Sequence, residues 1–302
     1  MSARDLIGYG ANPPAFVWPN GARVAVSIVV NFEEGAELAV GDGDAENERI
    51  GEVLSSVTGR TRDFGQEQIF AYGMRVALWR FLDAFDRYGF RSTFFMCGRA
   101  IERLPDHAAE VVRRGHEPAC HGWLWRPHSD FTDKGLERDA LTRCIEVTQK
   151  VTGERPYGFY CRSSQSVWTR DLLLDLGFVY DSNGYDDELP YHSPVGDRRI
   201  LVLPYALDCN DMKFFHPNGF VEAEQFVRYA KSSLGTLLAE AERGRSSMLN
   251  IGLHLRIGGR PGRFAAIEGI LAHLQSLGPQ IWVARRIDIA KAWLAQVTPS
   301  LS

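Results

Sequence analysis

The sequence has no long apolar run: no stretch of its 302 residues approaches the ~20 consecutive apolar residues that a membrane span requires. It has no excess of one charge. Lys and Arg number 34 against 38 Asp and Glu, for a net charge of −4, so neither a nucleic acid nor a membrane surface is an expected partner. Its five cysteines are Cys97, Cys120, Cys144, Cys161 and Cys209. They are odd in number and scattered, and no C-x-x-C pair occurs. That pattern argues against a zinc knuckle and for reduced thiols over a disulfide framework. The opening residues, MSARDLIGYGANPPAF, include an acid and lack an apolar core, so a cytoplasmic protein is expected. Internal repeats and low-complexity tracts are also lacking.

What remains is ordinary globular composition, 45% hydrophobic and 24% charged, enough to bury a sizeable core. Pro13, Pro14 and Pro19 mark residues 1–20 as an arm expected to pack on a body formed by 21–302. Short apolar or β-branched segments predict strands at 23–31, 92–97, 117–120, 158–161, 178–181, 200–203, 247–254 and 280–284. Helical spacing or length predicts helices at 71–88, 105–114, 134–151, 168–176, 223–243, 263–277 and 287–295. Strands alternating with helices imply an α/β fold with a parallel sheet, closed as a barrel or open and doubly wound, in one domain. Residues 37–64 are polar and glycine-rich, a long loop and a candidate lid.

In such folds chemistry gathers at the carboxyl ends of the strands. The residues found there are Glu33, Glu34, His121, Arg162, Asp181 and His254. Adjacent carboxylates repel, so one of Glu33 and Glu34 should hold its proton more firmly, as general-base chemistry near neutral pH needs. Two solvated acids opening a loop is the plainer alternative. His121 lies in Cys-His-Gly-Trp-Leu-Trp, where Trp123 and Trp125 either wall a pocket or form a satellite core. The loop from Gly258 to Arg263, containing Arg260, either holds an anion at the next helix or is a turn with solvated arginines. It lacks phosphate-loop spacing. Cys120 and His121, adjacent on one strand, would face opposite ways and cannot pair. Cys161 beside Arg162 remains a minor nucleophile candidate.

In order along the chain, Asn31 to Glu37, Tyr72-Gly73-Met74-Arg75, Gly115-His116-Glu117, His121-Gly122-Trp123, Tyr180-Asp181-Ser182, Asn210 to Phe214, Gly252-Leu253-His254 and Gly259 to Arg263 resemble the polysaccharide deacetylase (NodB-type, carbohydrate esterase 4) superfamily. Within it, the chain is most similar to the branch of metal-independent bacterial allantoinases. The resemblance implies a deformed (β/α) barrel and hydrolysis of a carbon–nitrogen bond in a small molecule. It also implies a homo-oligomer.

The family's Phe-Asp-Asp-Gly motif, a base followed by a metal ligand, corresponds to Glu33 and Glu34. Of its two metal-binding histidines, the first is His121 and the second position holds Trp125. A catalytic zinc normally takes three protein ligands, so a site without metal is expected. Zinc completed by His128, His192 or His216 is the alternative. By the same resemblance Glu33 takes the water proton, Glu34 tunes it, and His121 with Arg162 stabilises the oxyanion. His254 protonates the leaving nitrogen, while Trp123, Trp125, Asp181 and Arg260 contact substrate. Leu124 stands where the allantoinase branch has Arg, and Cys161 to Gln165 replaces its Thr-Gly-Arg. A cyclic ureide, imide or other small amide is therefore the expected substrate class. A metal-dependent N-deacetylase of amino sugars and a catalytically dead binding module are the competing readings.

Overall fold

The structure, a computed structural model, describes residues 4–52 and 54–297. Strand β1 (Val24–Phe32) is buried along its whole length, which its run of Val and Ile suits. It is the hub of the sheet. β8 (Ser247–His254) pairs with it from Val24 to Asn31. On the opposite edge β2 (Thr93–Met96) takes the upper half and β9 (Ile281–Val283) the lower. From β2 the sheet continues through β3 (Glu117–Cys120), β4 (Gly158–Phe159), β5 (Tyr180–Asp181), β7 (Arg198–Val202) and β6 (Tyr191–Val195).

Every pairing is parallel except β6 with β7. That hairpin corrects the expectation of a purely parallel sheet. β6 carries His192 and Pro194 and is half exposed, so it lacks the apolar signature of a buried strand, and its edge position tolerates proline. Two further elements differ from the sequence reading. The helix expected from 71 starts at Phe64, and a short helix at Gly98–Arg103 was not anticipated.

Side chains of β1 alternate between two cores, as the strand period of two requires. Val24, Val26, Ile28, Val30 and Phe32 meet the outer helices, with Phe81, Phe85, Leu234 and Ile267. Ala25 and Val29 point into the barrel, where Phe95, Tyr160, Tyr180 and Tyr205 fill the interior. The N-terminal arm joins this inner core. Phe16 and Trp18 are buried against Trp293, and Trp18 Nε1 donates to the Ser247 carbonyl.

The barrel does not close by strand pairing, because no ladder joins β8 to β6 or β7 among the described residues. Arg286 bridges the seam. Its buried guanidinium donates to Asn250 Oδ1 on β8 (2.8 Å), Ser182 Oγ beyond β5 (3.0 Å), and the carbonyls of Leu203 and Pro204 beyond β7. Arg286→Leu leaves those acceptors buried without a donor. It is expected to cost on the order of 3 kcal/mol, measured as a lowered denaturation midpoint with unchanged secondary structure.

Candidate active site

The ends of β1, β3 and β8 bring Glu33, Glu34, His121 and His254 to one point, all nearly inaccessible to solvent. Glu33 Oε1 faces His121 Nε2 at 3.3 Å and His254 Nε2 at 3.6 Å. Its other oxygen accepts from Arg256 Nη1 at 2.5 Å. Arg256 also binds Glu34 Oε1, through its backbone N–H at 3.0 Å and through Nη1 at 3.4 Å. The guanidinium lies over the rings of Phe70 and Trp125.

Each imidazole is oriented from behind. His121 Nδ1 lies 2.6 Å from the Tyr160 carbonyl. A carbonyl only accepts, so that nitrogen carries the proton and Nε2 is left to face Glu33. His254 Nδ1 lies 2.7 Å from Asp211 Oδ1, and the second Asp211 oxygen accepts from the backbone N–H groups of His254 and Gly258. Asn31 Nδ2 approaches His254 Nε2 at 3.1 Å, while Asn31 Oδ1 is buried without a partner. A neutral His254 accepts from the amide. A protonated one calls for the idle Oδ1.

Burial alone would raise the pKa of both glutamates. Arg256, His254 and His121 reverse this for Glu33, which is held well below the usual carboxylate range. For Glu34 burial prevails over Arg256 and is reinforced by Glu33, so its pKa is raised. The pair is split as adjacent charges require, but the firmly held proton belongs to Glu34 and not to the residue expected to act as base. Burial would lower His254, yet the carboxylates of Glu33 and Asp211 raise it.

Glu34 is accommodated by a local irregularity. The helix from Phe64 to Tyr88 contains one π-turn at Gly73–Ala77, a feature common near functional sites. A Cβ on Gly73 would stand 2.6 Å from Glu34 Cδ, so only glycine lets helix and carboxylate meet.

Four of the sequence-predicted residues lie elsewhere. Arg162 pairs with Glu48 at 2.6 Å and lies over Trp125, with no bond to Glu33 or Glu34. Arg256 is the guanidinium at the carboxylates instead. Trp123 packs against Gly98 and under Arg143. Asp181 is engaged by Arg170 and by the Asn183 N–H. Arg260 lies over Tyr72, 3.5 Å from Glu52, and lines an open cleft of about 740 Å³ with Arg263 and Phe214. Trp125 is at the centre, but as a buried platform for arginines rather than an open pocket wall. Sequence reasoning gave no role to Arg256 or Asp211. The available signal for Arg256 was a lone arginine between Leu255 and Ile257, two residues after His254.

Residues 36–52 and 54–62 lie over this centre. Trp125 N–H donates to the Ala36 carbonyl, Arg99 and Arg103 grip Asp44 and Asp42, and Glu48 holds Arg162.

With the geometry in hand, comparison with known proteins is informative. A model of the polysaccharide deacetylase family matches residues 67–180. A provisional polysaccharide deacetylase of Schizosaccharomyces pombe is 32% identical, over 97% of both chains. The chain belongs to the polysaccharide deacetylase family. Among solved structures, the probable polysaccharide deacetylase from Pseudomonas aeruginosa PAO1 is 39% identical (TM-score 0.91), covering 98% of this chain and 99% of that one. The PuuE allantoinase is 38% identical (TM-score 0.91), covering 98% of each. The fold is the deformed, single-domain barrel of that family, and the family's activity is hydrolytic.

The family implies a divalent metal, which the residues here do not fit. Among the described residues, no group of three or more His, Cys, Asp or Glu side chains is arranged to hold an ion. One oxygen of each glutamate, Glu33 Oε2 and Glu34 Oε1, is already bonded to Arg256, and an indole stands at the second histidine position.

Two outcomes are expected. Gly73→Ala forces Glu34 aside and should cost about 1–3 kcal/mol of stability, read by thermal unfolding. The second concerns Glu37, buried at the start of the covering segment, whose pKa burial raises from 4.5 to about 7. A raised carboxyl costs nothing below pH 4.5 and lowers stability as pH climbs through this window. Glu37→Gln should therefore stabilise the protein by about 2–3 kcal/mol at pH 8 and leave it unchanged at pH 4, as denaturation at the two pH values would show.

Proposed function

We propose that this protein hydrolyses a carbon–nitrogen bond in a small cyclic ureide, imide or amide, without a metal ion. One observation carries the reading. A buried carboxylate, Glu33, is faced by two imidazoles, each oriented by a buried acceptor, with an arginine supplying the positive charge.

A water molecule against Glu33 Oε1 attacks the substrate carbonyl. Glu33 orients it, and is a weak base while Arg256 holds it. The proton's resting place is the imidazole of His254, whose basicity Asp211 sustains. His121 Nε2 faces the same oxygen and, with its proton on Nδ1, accepts a hydrogen bond from the water and helps hold it for attack. As the new C–O bond forms and the C–N bond breaks, His254 returns the proton to the departing nitrogen. A cyclic substrate opens to one product carrying a new N–H and a carboxylic acid, which releases the second water proton to solvent as it becomes a carboxylate.

Two features support small, activated substrates. The centre is buried beneath residues 36–52 and 54–62, which suits a molecule that can be enclosed rather than a polymer. The guanidinium is engaged by both carboxylates, so the substrate carbonyl is attacked with little electrophilic help. A ureide or imide nitrogen, whose charge is delocalised, leaves more readily than an amine. The similarity to an allantoinase supports the same class. Hydrolysis of acetylated amino sugars is the second reading, supported by the names of the other relatives.

Glu33→Gln should lower turnover by on the order of 10²–10⁴-fold while the protein remains folded. The check is hydrolysis of a panel of cyclic ureides, imides and N-acetyl sugars, with circular dichroism alongside. Full activity in the variant removes Glu33 from the reaction, and binding across the panel without turnover by the native protein overturns the enzymatic reading.

A further inference from the structure

We propose that Arg256 occupies the place of a metal ion, so that its guanidinium is the resident cation of the Glu33–Glu34 centre and keeps divalent ions out. The inference rests on the metal-free reading above and adds the group that enforces it.

The position of Nη1 is the first argument. It stands 2.5 Å from Glu33 Oε2 and 3.4 Å from Glu34 Oε1. A divalent ion would need carboxylate oxygens within about 2.0–2.2 Å. Nitrogen and metal would then share one volume while carrying like charges, so the two occupants exclude each other.

The second argument is immobility. The Arg256 backbone N–H donates to Glu34 Oε1, so the main chain and the side chain grip the same carboxylate. The guanidinium is 4.4 Å from the Phe70 ring centre and 4.6 Å from that of Trp125. Leu255 and Ile257 on either side are fully buried, and the Gly258 N–H ties the turn to Asp211. A long basic side chain usually keeps its charged end in water, but Arg256 is 1% exposed. Burial of that charge is tolerable only with its carboxylate partners in place.

The third argument is charge. Two adjacent buried glutamates require a cation. One guanidinium already supplies that cation, bonded to an oxygen of each glutamate. The tryptophan adds to this balance, since Trp125 offers a ring face to Arg256 where an imidazole would offer a ligand. Trp125 and Arg256 therefore act as one unit.

The test reads metal binding rather than activity. Native protein, Trp125→His and Trp125→His/Arg256→Ala are titrated with Co²⁺, followed by its visible absorption, and with Zn²⁺ by calorimetry. The double variant should bind one equivalent at least 100-fold more tightly than Trp125→His alone. Equal binding by the single and double variants overturns the role of Arg256 and leaves the metal-free reading of the native protein standing. One equivalent bound by the native protein, and lost in Glu34→Gln, overturns both. Should the double variant fail to fold, Arg256→Ala is unfolded thermally with and without 20 mM guanidinium. A midpoint raised in the variant and not in the native protein supports the proposal, and no rise overturns it.

Discussion

The centre depends on one buried cation held between two adjacent carboxylates. Glu33 and Glu34 follow β1 directly, and both are out of contact with water. Unpaired, they would repel each other in a medium that screens poorly, and one or both would take up protons. Arg256 resolves the conflict unequally. Its short bond to Glu33 keeps that residue ionised, while Glu34, bonded more loosely and beside a fixed negative charge, holds its proton more firmly. Two like residues become an anion and a proton holder through the placement of one guanidinium.

The surrounding architecture serves that placement. β1 and β8 are paired along eight residues, which brings Asn31 level with His254 and sets Glu33 across from Arg256. The π-turn at Gly73 lets the Phe64–Tyr88 helix approach Glu34 without a side chain between them. Phe70, from the same helix, and Trp125 close over the guanidinium. The covering segment is then drawn down by pairs of opposite charge at its surface, Asp42 with Arg103 and Asp44 with Arg99. The inner layer is held by short bonds among buried charged groups, whereas the outer pairs are partly exposed, Arg103 with Asp42 more so than Arg99 with Asp44.

Much of this was legible in the sequence. The strand–helix alternation, the acids after β1, His121 after β3 and His254 at the end of β8 are local features, and strand ends are where such folds collect reactive groups. The Trp at 125 signalled a site unlike that of metal-dependent relatives. Arg162, Asp181 and Arg260 were equally prominent in sequence, yet each is satisfied by a partner outside the centre: Glu48, Arg170 and Glu52, respectively. Nothing local distinguishes an arginine that reaches a carboxylate in the centre from one held in its cover. The β6 hairpin was missed for a related reason, because an edge strand needs no continuous apolar run.

By itself the sequence determined the family, the largely parallel sheet and which acids and imidazoles stand at the strand ends, since hydrophobic periodicity and motif order are properties of the chain alone. Tertiary structure decided which charge meets which. The pairing of Arg256 with Glu33 and the support of His254 by Asp211 join residues 43 or more positions apart, and the opposite proton affinities of the two adjacent glutamates follow from the unequal grip of that arginine. Electrostatic interaction depends on distance in space and on the exclusion of water, and neither is written in the order of residues.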